Sequence, residues 1–372
     1  MKVGIMSMQR ICNYGSFLQA YCLKNMIESL GHTVEFVDYK PGKPILDESY
    51  SKASYMKSKM RDLIMDTAVF LEPALFFLPQ NFRHSLKFKR DYAKRYLPLL
   101  GMQKKNFNPD IDTLVIGSDE VFNCFQKNPK VGFSKDLFGH RSKANKIISY
   151  AASFGNTTYE EIEKKGLSAE LSELFSKFSA ISVRDQNSEN IIKKLSNTTP
   201  SLNFDPVLMY DFSRDVPKFC TEENYIVIYA YRGRITQKEI AAIKSFAAKR
   251  GLKTVSVGGV QPFCNVCIDG SPFEIMDYIR KAEYVITDTF HGTVFSVINH
   301  KKFVSFVRGG HGKDYGNHEK LIDLLSRLEL DSRAAPIDDF EYIIDTPIDY
   351  TRVDNIISEG RNNAMEYLKN NL

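Results

Sequence analysis

A strong charge of one sign, a disulfide framework and a membrane-spanning run are all missing from this sequence, and each absence removes a class of function. The net charge over 372 residues is only +5. That value fits anionic small ligands or an anionic membrane surface, and is too weak to argue for nucleic acid. The six cysteines (Cys12, Cys22, Cys124, Cys220, Cys264 and Cys267) show no framework spacing. In a chain of this size they read as reduced, cytosolic thiols. The apolar stretch nearest to transmembrane length, Leu63 to Leu78, is broken by Asp66 and Glu72. The opening Met1-Lys2-Val3-Gly4-Ile5-Met6 reads as a strand start, too short for a secretory signal. No GxGxxG, P-loop, HExxH or GxSxG pattern occurs. Cys264-Asn265-Val266-Cys267 has CxxC spacing but no second pair, and His300, His311 and His318 lack ligand spacing to it. No metal site and no cofactor are expected.

What is present is a chain too long for one core, with 43% hydrophobic and 26% charged residues. Two globular domains are the default for such a chain. Val3 to Met6 reads as a buried strand, Asn13-Tyr14-Gly15-Ser16 as a turn with an N-cap, and Phe17 to Leu30 as a helix stopped by Gly31. Thr33 to Tyr39 is the next strand. Strand, helix, strand implies a parallel sheet. Asn13, Tyr14, Gly15 and Ser16 stand at a helix start beyond a strand end, where a turn chosen for its backbone and a ligand loop are both possible. Further strands are expected at Ile111 to Ile116, Lys146 to Ala152 and Ala180 to Asp185. Helices are expected at Leu167 to Phe178 and Asn187 to Leu195. After a boundary near residues 212–224, the alternation resumes. Strands are expected at Tyr225 to Tyr231, Lys253 to Val257, Tyr284 to Ile286 and Lys302 to Phe306. Helices are expected at Gln237 to Arg250, Pro272 to Ala282, Lys320 to Leu328 and Val353 to Leu368. Ser271 and Pro272 mark a helix start.

The strand Tyr284-Val285-Ile286 matters most, because a polar turn with Asp288, Thr289 and His291 follows it. An apolar helical segment, Val294 to Ile298, comes next. Ligands collect beyond the carboxyl ends of strands in open α/β sheets, where the next helix presents free N–H groups. Asp288 as the cap of that helix and Asp288 as the orienting partner of His291 are both open readings. Within the first half, residues 45–105 read as a helical insertion, apolar at Leu63 to Leu78 with basic flanks. Such a segment can lie on an anionic membrane through about 63–95, or it can pack on its own domain.

In chain order, Asn13-Tyr14-Gly15-Ser16, Gly117-Ser118-Asp119, Ser149-Tyr150-Ala151-Ala152-Ser153-Phe154-Gly155, Ser182-Val183-Arg184-Asp185, Asp205-Pro206-Val207 and Thr287-Asp288-Thr289-Phe290-His291-Gly292-Thr293 together resemble the polysaccharide pyruvyl transferase family. They span most of residues 3 to 308. The resemblance implies a fold similar to GT-B glycosyltransferases: two Rossmann-like doubly wound α/β domains facing across a cleft. The expected N-terminal domain covers 1–214 on the acceptor side, and the C-terminal domain covers 215–348 on the donor side. The helix of 349–372 is expected to return to the first domain. The implied activity is transfer of the enolpyruvyl group of phosphoenolpyruvate to a sugar of a surface polysaccharide or its lipid-linked precursor, giving a ketal. A cytoplasmic protein, free or held at the membrane, is expected.

Under that resemblance, His291 with Asp288 carries the catalysis, since an imidazole titrates near working pH. Donor binding is assigned to Arg184, Arg232, Arg308, Thr289, Gly292 and Thr293. Acceptor binding is assigned to Asn13, Tyr14, Gly15, Ser16, Ser118 and Asp119. Better characterised members have Arg-Leu-His where this chain has Thr289-Phe290-His291. Threonine supplies no charge, so the cation must come from elsewhere, with Arg232, Arg234 and Arg308 as the candidates. A salt bridge to Asp185 or another neighbour is the other reading of Arg184. A glycosyltransferase using a nucleotide sugar and a non-catalytic assembly protein are the alternatives for the whole chain.

Overall fold

A computed structural model describes residues 1–45, 52–69, 79–308, 318–334 and 339–372. The chain divides into two compact units. The first comprises Met1–Val69, Arg90–Tyr210 and Ser358–Leu372; the second comprises Phe70–Lys89 and Asp211–Ile357.

The first unit is built on a six-stranded sheet of order β2-β1-β3-β4-β5-β6. Its strands are β1 (Lys2–Met6), β2 (Thr33–Phe36), β3 (Thr113–Asp119), β4 (Lys146–Ala152), β5 (Ser182–Val183) and β6 (Ser201–Leu202). Every pairing is parallel. A parallel sheet is covered on both faces, so its strands are apolar throughout rather than alternating. Accordingly Val3, Ile5, Val115, Ile116 and Ile148 are fully buried. The helix Tyr14–Ser29 covers one face with Phe17, Leu18, Leu23 and Ile27. The other face carries a stack of aromatic rings, Phe122, Phe138, Phe154 and Phe175. The final helix, Tyr350–Asn371, joins this unit through its last turns. Tyr367 there donates to the Ser149 carbonyl at 2.8 Å, and Arg361 donates to the Met209 carbonyl at 2.6 Å.

The second unit holds a five-stranded parallel sheet of order β11-β10-β7-β8-β9. The strands are β7 (Tyr225–Tyr229), β8 (Lys253–Val257), β9 (Val266–Ile268), β10 (Tyr284–Thr287) and β11 (Lys302–Ser305). Both sheets are therefore of the doubly wound α/β class. Each reverses direction once, between β1 and β3 in the first and between β7 and β10 in the second. Such switch points leave a crevice beyond the strand ends.

Two short strands, β6 and β9, were not expected from the sequence. Each is an edge strand of two or three residues, too short to stand out as a strand by its own pattern. The helix after β10 begins at Phe290, four residues before Val294, because a threonine caps it early. Ser271 and Pro272 do open the helix Pro272–Lys281 with a full capping box to Glu274. In the insertion, helices cover Lys52–Ala68 and Gln80–Asp91, whereas the cluster Leu75 to Leu78 lies outside the described residues. Among the described residues no helix is long and apolar enough to cross a membrane.

Candidate functional site

In the second unit, β7 and β10 end side by side at the switch point, and the two chain segments beyond them are tied together. The Tyr231 N–H, just past β7, donates to Asp288 Oδ1 at 3.1 Å, just past β10. Asp288 has no exposed surface. Arg234 Nε lies 3.0 Å from its Oδ2, and Arg308 Nε lies 4.0 Å from the same oxygen. Burial pushes the Asp288 carboxyl above its ordinary value, although Arg234, the Tyr231 N–H and Arg308 all pull the other way. Arg308 also grips Glu239 with both terminal nitrogens, at 2.7 and 3.0 Å. Burial raises the Glu239 carboxyl, but these bonds and those from Thr236 outweigh it and hold it below its usual range. Glu239 in turn closes the capping box of the helix Gln237–Lys249. One network thus runs from a helix start through two guanidinium groups to a buried aspartate.

The helix Phe290–Ile298 starts at this place. Its cap is Thr289, whose Oγ1 accepts the Gly292 N–H at 2.9 Å. This corrects the reading of Asp288 as the cap: Asp288 is turned toward the arginines, and the next residue does the capping. His291 stands in the first turn, half-buried, with its Nε2 inside. Its ring lies 5.3 Å from that of Phe290 and 6.1 Å from that of Phe295. Thr293 is fully buried, and its hydroxyl is engaged by the Thr289 carbonyl and by Ser305 Oγ at 2.7 Å. Its side chain therefore works inside the unit, holding helix to β11. Gly292 is needed at its position for space: a Cβ there would overlap Thr287 Oγ1. Of the arginines expected nearby, Arg308 is present, Arg232 is exposed and forms no ion pair among the described residues, and Arg234 is the one that reaches Asp288.

In the first unit the same kind of place, beyond β1 and β3, is lined by polar groups. Ser7 Oγ donates to the Ser118 carbonyl across the switch point at 3.0 Å. Gln19, fully buried, donates to Ser7 Oγ and accepts the Ser118 N–H. Asn13 caps the helix Tyr14–Ser29 by accepting the Gly15 N–H at 2.7 Å, and Tyr14 is buried beside it. Ser16 Oγ donates to Asp119 Oδ2 at 3.0 Å. Ser118 Oγ faces Asp205 at 3.3 Å. Arg184, 3% exposed, donates to Asp205 at 2.8 Å and approaches Asp119 at 3.8 Å. Asp185 does not pair with it in that way; it caps the helix Gln186–Ser196 and accepts Ser153 Oγ. The structure thus gathers Ser16, Ser118, Asp119 and Arg184 into one buried network around Asp205. Gln19 and Glu239 were not singled out from the sequence, and Asp205 stood there only within Asp205-Pro206-Val207, with no site role. Aspartate before proline signals a turn, and only the fold turns Asp205 toward an arginine.

Among the described residues, no group of three or more His, Cys, Asp or Glu side chains is placed to hold a metal ion. Chemically, the second unit offers an imidazole at a helix start, two guanidinium groups and a carboxylate with a raised pKa. The first offers hydroxyls and carboxylates of the kind that bind sugar hydroxyls.

The profile of the polysaccharide pyruvyl transferase family matches residues 13–310. No curated protein matches the chain. Among solved structures, the chain is similar to the glycotransferase of kitacinnamycin, at 12% identity with a TM-score of 0.47 over 99% of this chain and 97% of that one. It is also similar to the UDP-GlcNAc 2-epimerase from Neisseria meningitidis bound to UDP-GlcNAc, at 11% identity with a TM-score of 0.44 over 98% of this chain and all of that one (100%).

Proposed function

The chain belongs to the polysaccharide pyruvyl transferase family, and we propose that it moves the enolpyruvyl group of phosphoenolpyruvate onto two hydroxyls of a saccharide. One acceptor hydroxyl adds to C2 of the enol, and a proton arrives at C3, turning methylene into methyl. The second hydroxyl then attacks C2 and displaces phosphate, which leaves with the remaining proton. The products are a cyclic pyruvate ketal and inorganic phosphate.

His291 is the acid and base of this scheme, since one imidazole can deliver a proton and later accept one. Arg234 and Arg308 supply the positive charge that Thr289 does not, and the positive dipole end of the helix Phe290–Ile298 favours an anion there. Asp288 positions the arginines. In the first unit, Ser16 and Asp119 are the side chains through which a sugar would be selected, because a fixed polar partner rejects a sugar lacking the matching hydroxyl. The observation that carries the reading is the pair of guanidinium groups converging on Asp288 at the switch point, next to the helix that bears His291.

The test uses isotope-labelled phosphoenolpyruvate and labelled nucleotide sugars, each offered with a saccharide acceptor mixture. Label reaching the acceptor from phosphoenolpyruvate, with one phosphate released per ketal, is the expected result. Label arriving only from a nucleotide sugar overturns the proposal in favour of glycosyl transfer.

A further inference from the structure

The helix Lys52–Ala68 is turned the wrong way round for a packed helix: its apolar side faces out. No residue of it is buried. Met56, Met60, Leu63 and Ile64 are 52%, 55%, 62% and 56% exposed. The half-buried side is formed by Ser54, Tyr55, Ser58, Asp62 and Met65. Asp66, beside that half-buried side, forms an ion pair with Lys130 at 2.9 Å, which moors the helix to its own unit.

At about 100° per residue, the four exposed apolar side chains fall within a sector roughly 100° wide. Lys52 and Lys59 border one edge of that sector, and Lys57 and Arg61 border the other. Asp62 lies behind it, and Asp66 lies beside Lys59 on one flank. Among the described residues none of these four cations forms an ion pair.

From this arrangement we infer that the helix Lys52–Ala68 lies flat on an anionic lipid surface, with its thioether and aliphatic side chains among the acyl chains. Lysine and arginine on both margins of an apolar stripe can extend their stems along the hydrocarbon and leave their charges at the headgroups. Each adds attraction to an anionic leaflet. A protein partner is the poorer fit, because lysine is depleted at protein interfaces and four side chains cover too little area for a stable one. The contact overlaps the segment of about 63–95 expected from composition at Leu63 and Ile64, and begins earlier, at Met56. In the helix Gln80–Asp91, Leu86 is buried and Lys87 is held by Asp269, so that stretch is committed to packing within the second unit. The inference does not depend on the reaction assigned to the protein.

The full-length protein is sedimented with vesicles of phosphatidylcholine alone and with vesicles in which about one third is phosphatidylglycerol. Retention on the anionic vesicles at low salt, release at high salt and little retention on phosphatidylcholine are expected. Leu63→Glu with Ile64→Glu should lower the vesicle-bound to free ratio about tenfold or more, since both apolar contacts are lost. Lys57→Gln with Arg61→Gln keeps the apolar stripe and should lower it severalfold at low salt only. Circular dichroism and the thermal midpoint should be unchanged in both variants, because the altered side chains are exposed. Equal recovery in the supernatant with both vesicle types overturns the inference. So does a concentration-dependent dimer that Leu63→Glu with Ile64→Glu dissolves while vesicles retain neither protein, which would make the face a contact between copies.

Discussion

Arg234 Nε lies 3.0 Å from Oδ2 of Asp288, a carboxylate with no surface of its own exposed to water. The pair joins the loop after β7 to the turn after β10, so it holds the two sides of the switch point at a fixed separation. Arg234 remains partly exposed, at 21% of its side chain. A partly exposed side chain whose guanidinium is held on a buried carboxylate is placed to meet an arriving anion.

The Asp288 carboxyl gives this arrangement a pH signature. Burial raises its pKa above the ordinary 3.8 in the folded protein. The folded state therefore holds this proton to higher pH than the unfolded chain does. Stability falls as pH rises from the ordinary aspartate range through the raised value, then levels off. Asp288→Asn removes the titration. The thermal midpoint of the variant should gain on that of the parent across this window and then run parallel to it. Curves parallel at every pH would show that Asp288 titrates like an exposed aspartate.

His291→Ala is expected to lower kcat by about 100-fold or more, the usual weight of a general acid–base group. Phosphoenolpyruvate affinity should change little, since the arginines and the helix N-terminus hold the donor. Phosphate release gives kcat, and calorimetry gives the affinity. A proportional loss of affinity would instead place His291 in donor binding.

Gly292→Ala should damage fold and activity together. A Cβ at 292 overlaps Thr287 Oγ1 and comes within 2.7 Å of both Thr289 Oγ1 and Tyr229 Cδ1. Relieving that overlap means moving the capping threonine, at a cost of about 2 kcal/mol. Because Thr289 fixes the first turn, His291 moves with it. Thermal unfolding and kcat measured on one preparation should both fall.

Arg184→Met tests the network in the first unit. It leaves Asp205 and Asp119 without their buried cation, and should cost about 3 kcal/mol in denaturant unfolding. Adding Asp205→Asn should restore part of that loss, because the unpaired charge disappears with it. A donor-binding role alone would leave the unfolding curve of Arg184→Met unchanged and raise only the KM for phosphoenolpyruvate.

The alternation of strands and helices was readable because parallel strands buried on both faces leave unbroken apolar runs. Lys253–Val257 matches its expected limits for that reason, and Ser271-Pro272 announced a helix start through local capping chemistry alone. β6 and β9 left no such trace, because two or three residues are too few to show a strand pattern against the neighbouring turns. Arg232 and Arg234 could not be separated by sequence. They are two residues apart in one turn, and the backbone path after β7 sends one into solvent and the other back to Asp288.

The sequence by itself determined the alternation of strand and helix, the place of His291 in a polar turn between a strand and a helix, and the absence of metal-ligand spacing, because each rests on periodicity or neighbours along the chain. Pairings between distant residues were decided only by the tertiary structure. Arg184 found Asp205, 21 positions on, rather than adjacent Asp185. Arg308 found Glu239, 69 positions back. A charged side chain takes the partner that shares its buried space, and which residues share that space depends on how the strands are ordered in the sheet.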